Sequence, residues 1–357
     1  MVLRVLIVVL GISLALCSGV SVHAEDIKLR VGVISGLTGA AAKWSGFQNK
    51  GMVLAQEELQ SEGVQIELLF EDAQTSAPKV ITAFNKLVQL NKVDAVIADD
   101  FGFVIAPILP LAERRKIPVI ACALPQEHYC TQAPKYFFSV GSQVPRSIAA
   151  YDRFFELHPE VKRIGLVVFD DPEWGNEYLA LWREVAKKRG VTIVDTFLNN
   201  EWQPDFKSAL TRMLPKKPQA IFFAHEPEGM IKAARQLRFA EMIVAANNIL
   251  EMLADGPVAR PELDGVYLVD IPVHEEFRTK YRSRFKTEPI LEAYAGYEAA
   301  RALAKAARVN RSDLASGMRS IRYQGVAGEV DFTKASCAGN LATWELYRFV
   351  GGERVRQ

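Results

Sequence analysis

The sequence predicts an α/β protein of two similar lobes, each a parallel sheet covered by helices on both faces. Three observations carry this. Short runs rich in β-branched residues, apolar throughout, alternate with stretches whose apolar residues recur every three or four positions. The alternation then restarts with matched details. The length of 357 residues exceeds one ordinary core and suits two domains of ~150 residues.

The elements follow in order. Strands are expected at Leu29–Ile34, Gln65–Phe70, Ala95–Ala98 and Pro118–Ala121, with helices at Gly46–Gln60, Pro78–Gln89 and Ile105–Lys116 between them. The second series places strands at Arg163–Phe169, Thr192–Phe197, Ala220–Ala224 and Met242–Ala246, and helices at Glu177–Arg189, Phe206–Leu214 and Gly229–Arg238. A strand at Gly265–Val269 comes next. Helices at Glu275–Lys286, Glu292–Ala307 and Ser312–Ser320 follow it, then short strands at Glu329–Phe332 and Thr343–Phe349.

The two series also agree in detail. Trp44-Ser45-Gly46, a helix and Gly63-Val64-Gln65-Ile66 are answered by Trp174-Gly175, a helix and Gly190-Val191-Thr192-Ile193. Lys92-Val93-Asp94-Ala95-Val96-Ile97 is answered by Lys217-Pro218-Gln219-Ala220-Ile221-Phe222. Correspondences in the same order imply two Rossmann-like lobes. Ligands of such sheets sit beyond the carboxyl ends of the strands, where the strand order switches. Facing lobes would thus enclose a cleft, with Trp44 and Trp174 on opposite walls.

The N-terminus has the three zones of a secretion signal: a charged Met1–Arg4, an apolar Val5–Leu16, and small residues to Ala24. The apolar run is too short for a spanning helix, which takes ~20 residues. Cleavage is expected before Glu25, making the mature chain exported and periplasmic. The alternative, lipidation at Cys17 in Leu14-Ala15-Leu16-Cys17, is weakened by the bulky Leu16. Losing Arg4 leaves 42 Lys+Arg against 42 Asp+Glu. A balanced charge argues against nucleic acid or anionic membrane as partner, since both need a basic excess.

Cys122, Cys130 and Cys337 remain in an oxidising compartment. A Cys122–Cys130 staple across the Pro-containing loop is expected, with Cys337 unpaired; the alternative is three buried thiols. No Cys-x-x-Cys or Cys/His cluster supports redox catalysis or zinc. Gly32, Gly36 and Gly39 fit neither a dinucleotide fingerprint nor a Walker loop. No nucleophile elbow is present, and His225-Glu226 and His274-Glu275 lack the second histidine of a zinc protease. No cofactor or metal is therefore expected, nor an enzyme.

What collects at the expected strand ends is aromatic and acidic: Trp44, then Asp99-Asp100-Phe101-Gly102-Phe103, then Asp170-Asp171 with Trp174, then His225-Glu226. For an isolated tryptophan, packing under a loop would be the better reading; the matched positions favour cleft walls instead. Two indoles can sandwich a flat or cationic group. For the acids the competing reading is helix N-capping. Asp100 stands evenly between the two roles, while Glu226 leans to ligand contact and His225 alone of the histidines is placed to enter the cleft.

The chain resembles the periplasmic solute-binding proteins of type I fold that serve ABC importers, in the Leu/Ile/Val-binding branch. The likeness covers Ile27 to about Phe349. It is carried by Lys28-Leu29-Arg30-Val31-Gly32-Val33 with Leu37-Thr38-Gly39 and Trp44-Ser45-Gly46, by Glu71-Asp72 with Pro78, by Trp174-Gly175, by Arg235-Gln236-Leu237-Arg238 and by Gly328-Glu329-Val330-Asp331-Phe332. The resemblance implies two lobes joined by three hinge strands, closing over one solute and delivering it to a permease and ATPase, with a monomer as the default. It implies lobe 1 at 25–143 plus 272–332 and lobe 2 at 144–271 plus 333–357. Trp44, Phe103, Trp174, Glu226 and the Ala123-Leu124-Pro125 segment fall where members hold ligand. Amino-acid-binding members place hydroxyls near the positions of Phe103 and Pro125. Their loss here favours a larger, flatter or aromatic solute over the default amino acid or amide, with any positive group facing Glu226. Two other functions are compatible with the same residues: a sensor presenting its closed state to a receptor, and an exported hydrolase using Asp100, Asp171 and Glu226.

Overall fold

The chain lays down β1 (Ile27–Ser35), α1 (Ala42–Ser61), β2 (Val64–Asp72), α2 (Ala77–Asn85), β3 (Ala95–Ala98), α3 (Gly102–Arg115), β4 (Val119–Ala121) and β5 (Phe137–Ser142). A short 3-10 turn, Val144–Ser147, leads into α4 (Ile148–Leu157) and a second series. This is β6 (Arg163–Phe169), α5 (Trp174–Arg189), β7 (Thr192–Asn199), α6 (Phe206–Met213), β8 (Ala220–Ala224), α7 (Pro227–Gln236), β9 (Met242–Ala246) and β10 (Tyr267–Asp270). Then come α8 (Glu275–Phe285), α9 (Leu291–Val309), α10 (Leu314–Met318), β11 (Arg322–Gly325), β12 (Gly328–Asp331), β13 (Ala338–Asn340), β14 (Glu345–Val350) and β15 (Glu353–Arg356). The computed structural model describes residues 27–99, 101–122, 129–130, 134–171, 174–200, 203–224, 226–246, 260–334 and 338–357.

Two sheets result, ordered β11-β12-β13-β5-β4-β3-β1-β2 and β15-β14-β10-β9-β8-β6-β7. Within them β1 to β5 run parallel, as do β6 to β10. Both lobes therefore share one order, with the first strand between the second and third, and each reverses direction there: at β1/β3 and at β6/β8. The repeat extends to the backbone. Gly63 and Gly190 have φ of 76° and 62°, Lys92 and Lys217 of 53° and 50°, and Lys116 and Arg238 of 56° and 50°. A left-handed residue ends the connection at matched places in both halves.

The chain crosses between sheets three times: after β5, after β10 and between β13 and β14. Trp344 pins the crossings by donating its Nε1–H to Ser142 Oγ at 3.1 Å, while Ser142 Oγ–H donates to the Ala342 carbonyl at 3.1 Å. One apolar core runs through this junction, from Leu29 and Leu54 past Tyr151 and Trp182 to Leu346. The outer faces of the two sheets have cores of their own.

Three expectations change. The segment 333–357 divides, because β13 pairs with β5 in the first sheet and only β14 and β15 join the second. Strands β5, β11, β13 and β15 and helix α4 were not expected: the strands are short or interrupted by polar residues and glycine, whereas α4 does bury Ala150, Tyr151, Phe154 and Phe155 at helical spacing and was overlooked. The Cys122–Cys130 staple does not form. Cys122 is a buried thiol outside any disulfide and lies in the core on one face of the first sheet, whereas Cys130 packs on the opposite face. Cys130 is itself disulfide-bonded, and not to Cys122. The signal, Cys17 and Cys337 lie outside the described residues.

Candidate functional site

The loop from β1 to α1 is built by carboxylates at neighbouring strand ends. Asp72 accepts from Leu37 N at 3.0 Å, Thr38 N at 3.2 Å and Thr38 Oγ1 at 2.6 Å, and from Gln74 N at 2.8 Å. Partial burial works against its charge, yet the hydrogen bonds from Thr38, Gln74 and Leu37 prevail and hold its pKa below the ordinary value. Asp99, fully buried at the end of β3, accepts from Gly36 N at 3.0 Å and from the Ser45 hydroxyl. It ties the β1 loop to the first turn of α1 and does not start α3. These contacts give the Leu37-Thr38-Gly39 and Glu71-Asp72 motifs their physical reason.

Trp44 sits in the first turn of α1, because the helix starts at Ala42 and admits Gly46 within it. Half-buried, it packs on the central core, with Lys43 Nζ 5.1 Å from its ring centroid. Trp174 opens α5 in the equivalent place and packs on the same core, its ring 6.2 Å from that of Phe169. Both tryptophans are thus helical and not in loops. Asp171 supplies the cap, accepting from Trp174 N and, at 3.4 Å, from Gly175 N. The cap uses Asp171 Oδ2.

Phe101 holds extended backbone just before α3, and its ring packs on the outer core of the first sheet, away from the face that carries Leu29 and Val31. Asp100, Ala123, Leu124, His225 and the side chain of Phe103 lie outside the described residues. Glu226 occupies the N-cap position of α7 without capping it through its side chain. Its carboxylate meets Lys43 Nζ at 3.5 Å. Lys43 follows β1 and Glu226 follows β8, so this ion pair joins the switch point of one sheet to that of the other. A positive solute group at Glu226 would have to displace Lys43.

Sequence reasoning missed Lys43, whose partner is 183 positions away. It also missed Glu292 in the first turn of α9, which is 5% exposed. Burial, reinforced by Asp99 and Asp270 and opposed by Lys43, pushes its pKa up to about 7. Its Oε2 and both amide atoms of Gln48 on α1 have no hydrogen-bond partner among the described residues.

A sequence model of the periplasmic binding protein family matches residues 28–348 of this chain. The chain belongs to that family. Several solved relatives share its fold at low identity. A solute-binding protein of an ABC transporter from R. palustris, in complex with benzoate, superposes with a TM-score of 0.80 at 18% identity, covering 92% of this chain and 95% of that one. Another from Rhodopseudomonas palustris BisB5, in complex with 3,4-dihydroxybenzoic acid, gives 0.81 at 18% over 93% and 97%. The branched-chain amino acid transporter substrate-binding protein LivJ from Streptococcus pneumoniae, in complex with isoleucine, gives 0.79 at 20% over 92% and 100%. The periplasmic binding protein family and these relatives bind solutes and are not enzymes, which removes the hydrolase reading.

Proposed function

We propose that this chain is the extracytoplasmic solute-binding component of an ABC importer, and that it closes its two lobes over a small organic acid with a flat or aromatic body. The observation that carries the reading is the Lys43–Glu226 contact, 3.5 Å across the gap between the two switch points. Trp44 and Trp174, from matched helical turns of opposite lobes, would offer the acid their ring faces. Burying a ring against each would supply most of the affinity, at about 25 cal/mol per Å² of apolar surface. Benzoate and 3,4-dihydroxybenzoic acid in two relatives of the same fold support the flat acid; isoleucine in a third keeps amino acids in the test. Closure would complete a site that neither lobe forms alone, and the closed form would be what a membrane permease and its ATPase receive.

A thermal-shift panel of benzoate, 3,4-dihydroxybenzoate, L-isoleucine and L-leucine on the purified mature chain tests this. An acid at 100 times its dissociation constant adds about 2.7 kcal/mol of stability, which raises the midpoint by several degrees. Trp44→Ala and Trp174→Ala should each weaken the responding acid at least tenfold. No response from any acid, or unaltered affinity in both variants, would reject the reading.

A further inference from the structure

We propose that Arg146, on the turn that enters the second lobe, receives the carboxylate of the bound acid and so sets the preference of the site for anions. This deepens the function proposed above and rests on it. Strands β1, β3, β4 and β5 are parallel, so β5 ends at the same edge of the sheet as the Ser35 and Ala98 strand ends. The chain leaves that edge at Ser142 and makes the 3-10 turn Val144–Ser147 within four residues. That turn packs against α5, the helix that Trp174 opens, and against α4. Arg146 is therefore carried by the crossing segment at the floor of the cleft, on the side of the tryptophan wall.

Arg146 is a half-buried residue whose Nε alone is buried without a hydrogen-bond partner among the described residues. The same holds for the hydroxyl of Tyr178, one helical turn below Trp174 on α5. Both groups can donate, and an arginine has nothing but donors to offer. Buried polar atoms are nearly always paired, and an unpaired guanidinium nitrogen is among the costliest exceptions. A carboxylate is the natural complement, because its two oxygens match the planar fork of the guanidinium. Glu177 and Asp270 bear electrostatically on Tyr178, so the positive charge is needed from Arg146 and not from the helix wall. Lys43 is held by Glu226 across the cleft, and Arg146 is the cation we assign to neutralise the acid.

The test compares each acid with its primary amide on the mature chain by calorimetry: benzoate with benzamide, 3,4-dihydroxybenzoate with its amide, and L-isoleucine with isoleucinamide. The wild type should prefer the best acid over its amide by at least tenfold. Arg146→Gln should lower the affinity for that acid about ten- to a hundredfold and leave the amide within about twofold, while Arg146→Lys should recover part of the loss. Without ligand, Arg146→Gln should unfold at the wild-type midpoint or above it, since it removes a buried guanidinium nitrogen that has no hydrogen-bond partner among the described residues. A merely structural arginine would lower that midpoint and weaken acid and amide together, and this result overturns the proposal. Should Arg146→Gln fail to fold, a wild-type chain that binds acid and amide alike overturns it as well. If the wild type prefers an acid and Arg146→Gln keeps that preference, the role of Arg146 is rejected while the solute-binding reading stands. If no acid binds the wild type, both fall.

Discussion

Asp270 ends the last parallel strand of the second sheet, and Arg354 on the edge strand donates to its fully buried carboxylate at 2.6 Å. The Ile271 N–H donates to the other oxygen at 2.8 Å. Burial pushes the Asp270 pKa up despite these partners, so its ionised form depends on them. Removing one member of a buried pair costs about 3–5 kcal/mol, whereas replacing both by apolar groups is often neutral. Arg354→Met should therefore lower the stability measured by urea unfolding by that amount, and Asp270→Leu combined with Arg354→Met should restore most of it. Equal losses in the single and double variants would show that the pair does not act as a unit.

Helices α1 and α9 approach so closely that only glycine fits between them. A Cβ on Gly51 would lie 1.8 Å from the Ala293 carbonyl oxygen, and one on Gly296 would lie 2.2 Å from that of Gln48. Both obstacles are backbone, which cannot rotate away. Gly51→Ala should cost about 3 kcal/mol or more, the upper range for overpacking. Gly46, on the same helix, has nothing within 4 Å of a built Cβ; Gly46→Ala should stabilise by about 0.5–1 kcal/mol. Thermal unfolding of both variants decides this, and a mild Gly51→Ala would mean that the helices can separate.

The parts of the fold that could be read from the sequence are those where one physical pattern dominates. Ala95–Ala98, Arg163–Phe169, Ala220–Ala224 and Met242–Ala246 are strands buried along nearly all their length, and an unbroken apolar run between turns identifies such strands. Gly63 and Gly190 repeat because both halves need positive φ at the same turn. The strand Phe137–Ser142 has two small polar residues at buried positions, Ser139 and Ser142, so its pattern is broken by hinge contacts. The matched placing of the two tryptophans at the starts of α1 and α5 was readable because the pattern recurs. The environments of Lys43, Arg146, Gln48 and Glu292 were not, since each depends on a neighbour far along the chain or on burial, and neither is visible in a local window. For Asp171 the sequence alone could not separate capping from ligand contact, because both call for the same residue type at the same place, and the structure shows the cap.

Glu292 gives the protein an uncommon dependence on pH. Its folded pKa of about 7 lies above the ordinary value of 4.5, so the folded chain binds the proton more tightly than the unfolded one. Stability then falls as pH rises from about 4.5 to about 7 and stays reduced above that. The span corresponds to a cost on the order of 3 kcal/mol at pH 8. Glu292→Gln should remove this slope and unfold at higher urea than the wild type at pH 8, with little difference at pH 5. Parallel pH profiles for the two chains would place the titration elsewhere.

The Lys43–Glu226 contact should act on closure more than on folding. Its side chains are 35% and 33% exposed, so solvent screens the pair and it contributes no more than about 1 kcal/mol. Because the partners come from opposite lobes, that contribution is made only when the lobes approach. Glu226→Gln should therefore speed dissociation of the bound acid by about two- to fivefold at low salt, with thermal stability of the unliganded chain unchanged. In 0.5 M salt, where screening acts within about 4 Å, the difference should vanish. Exchanging the charges, Lys43→Glu with Glu226→Lys, should return the dissociation rate towards that of the wild type. Stopped-flow tryptophan fluorescence reads all three. A rate that follows Glu226→Gln equally at low and high salt, and that the exchange does not mend, would assign Glu226 to direct contact with the solute instead of to the latch.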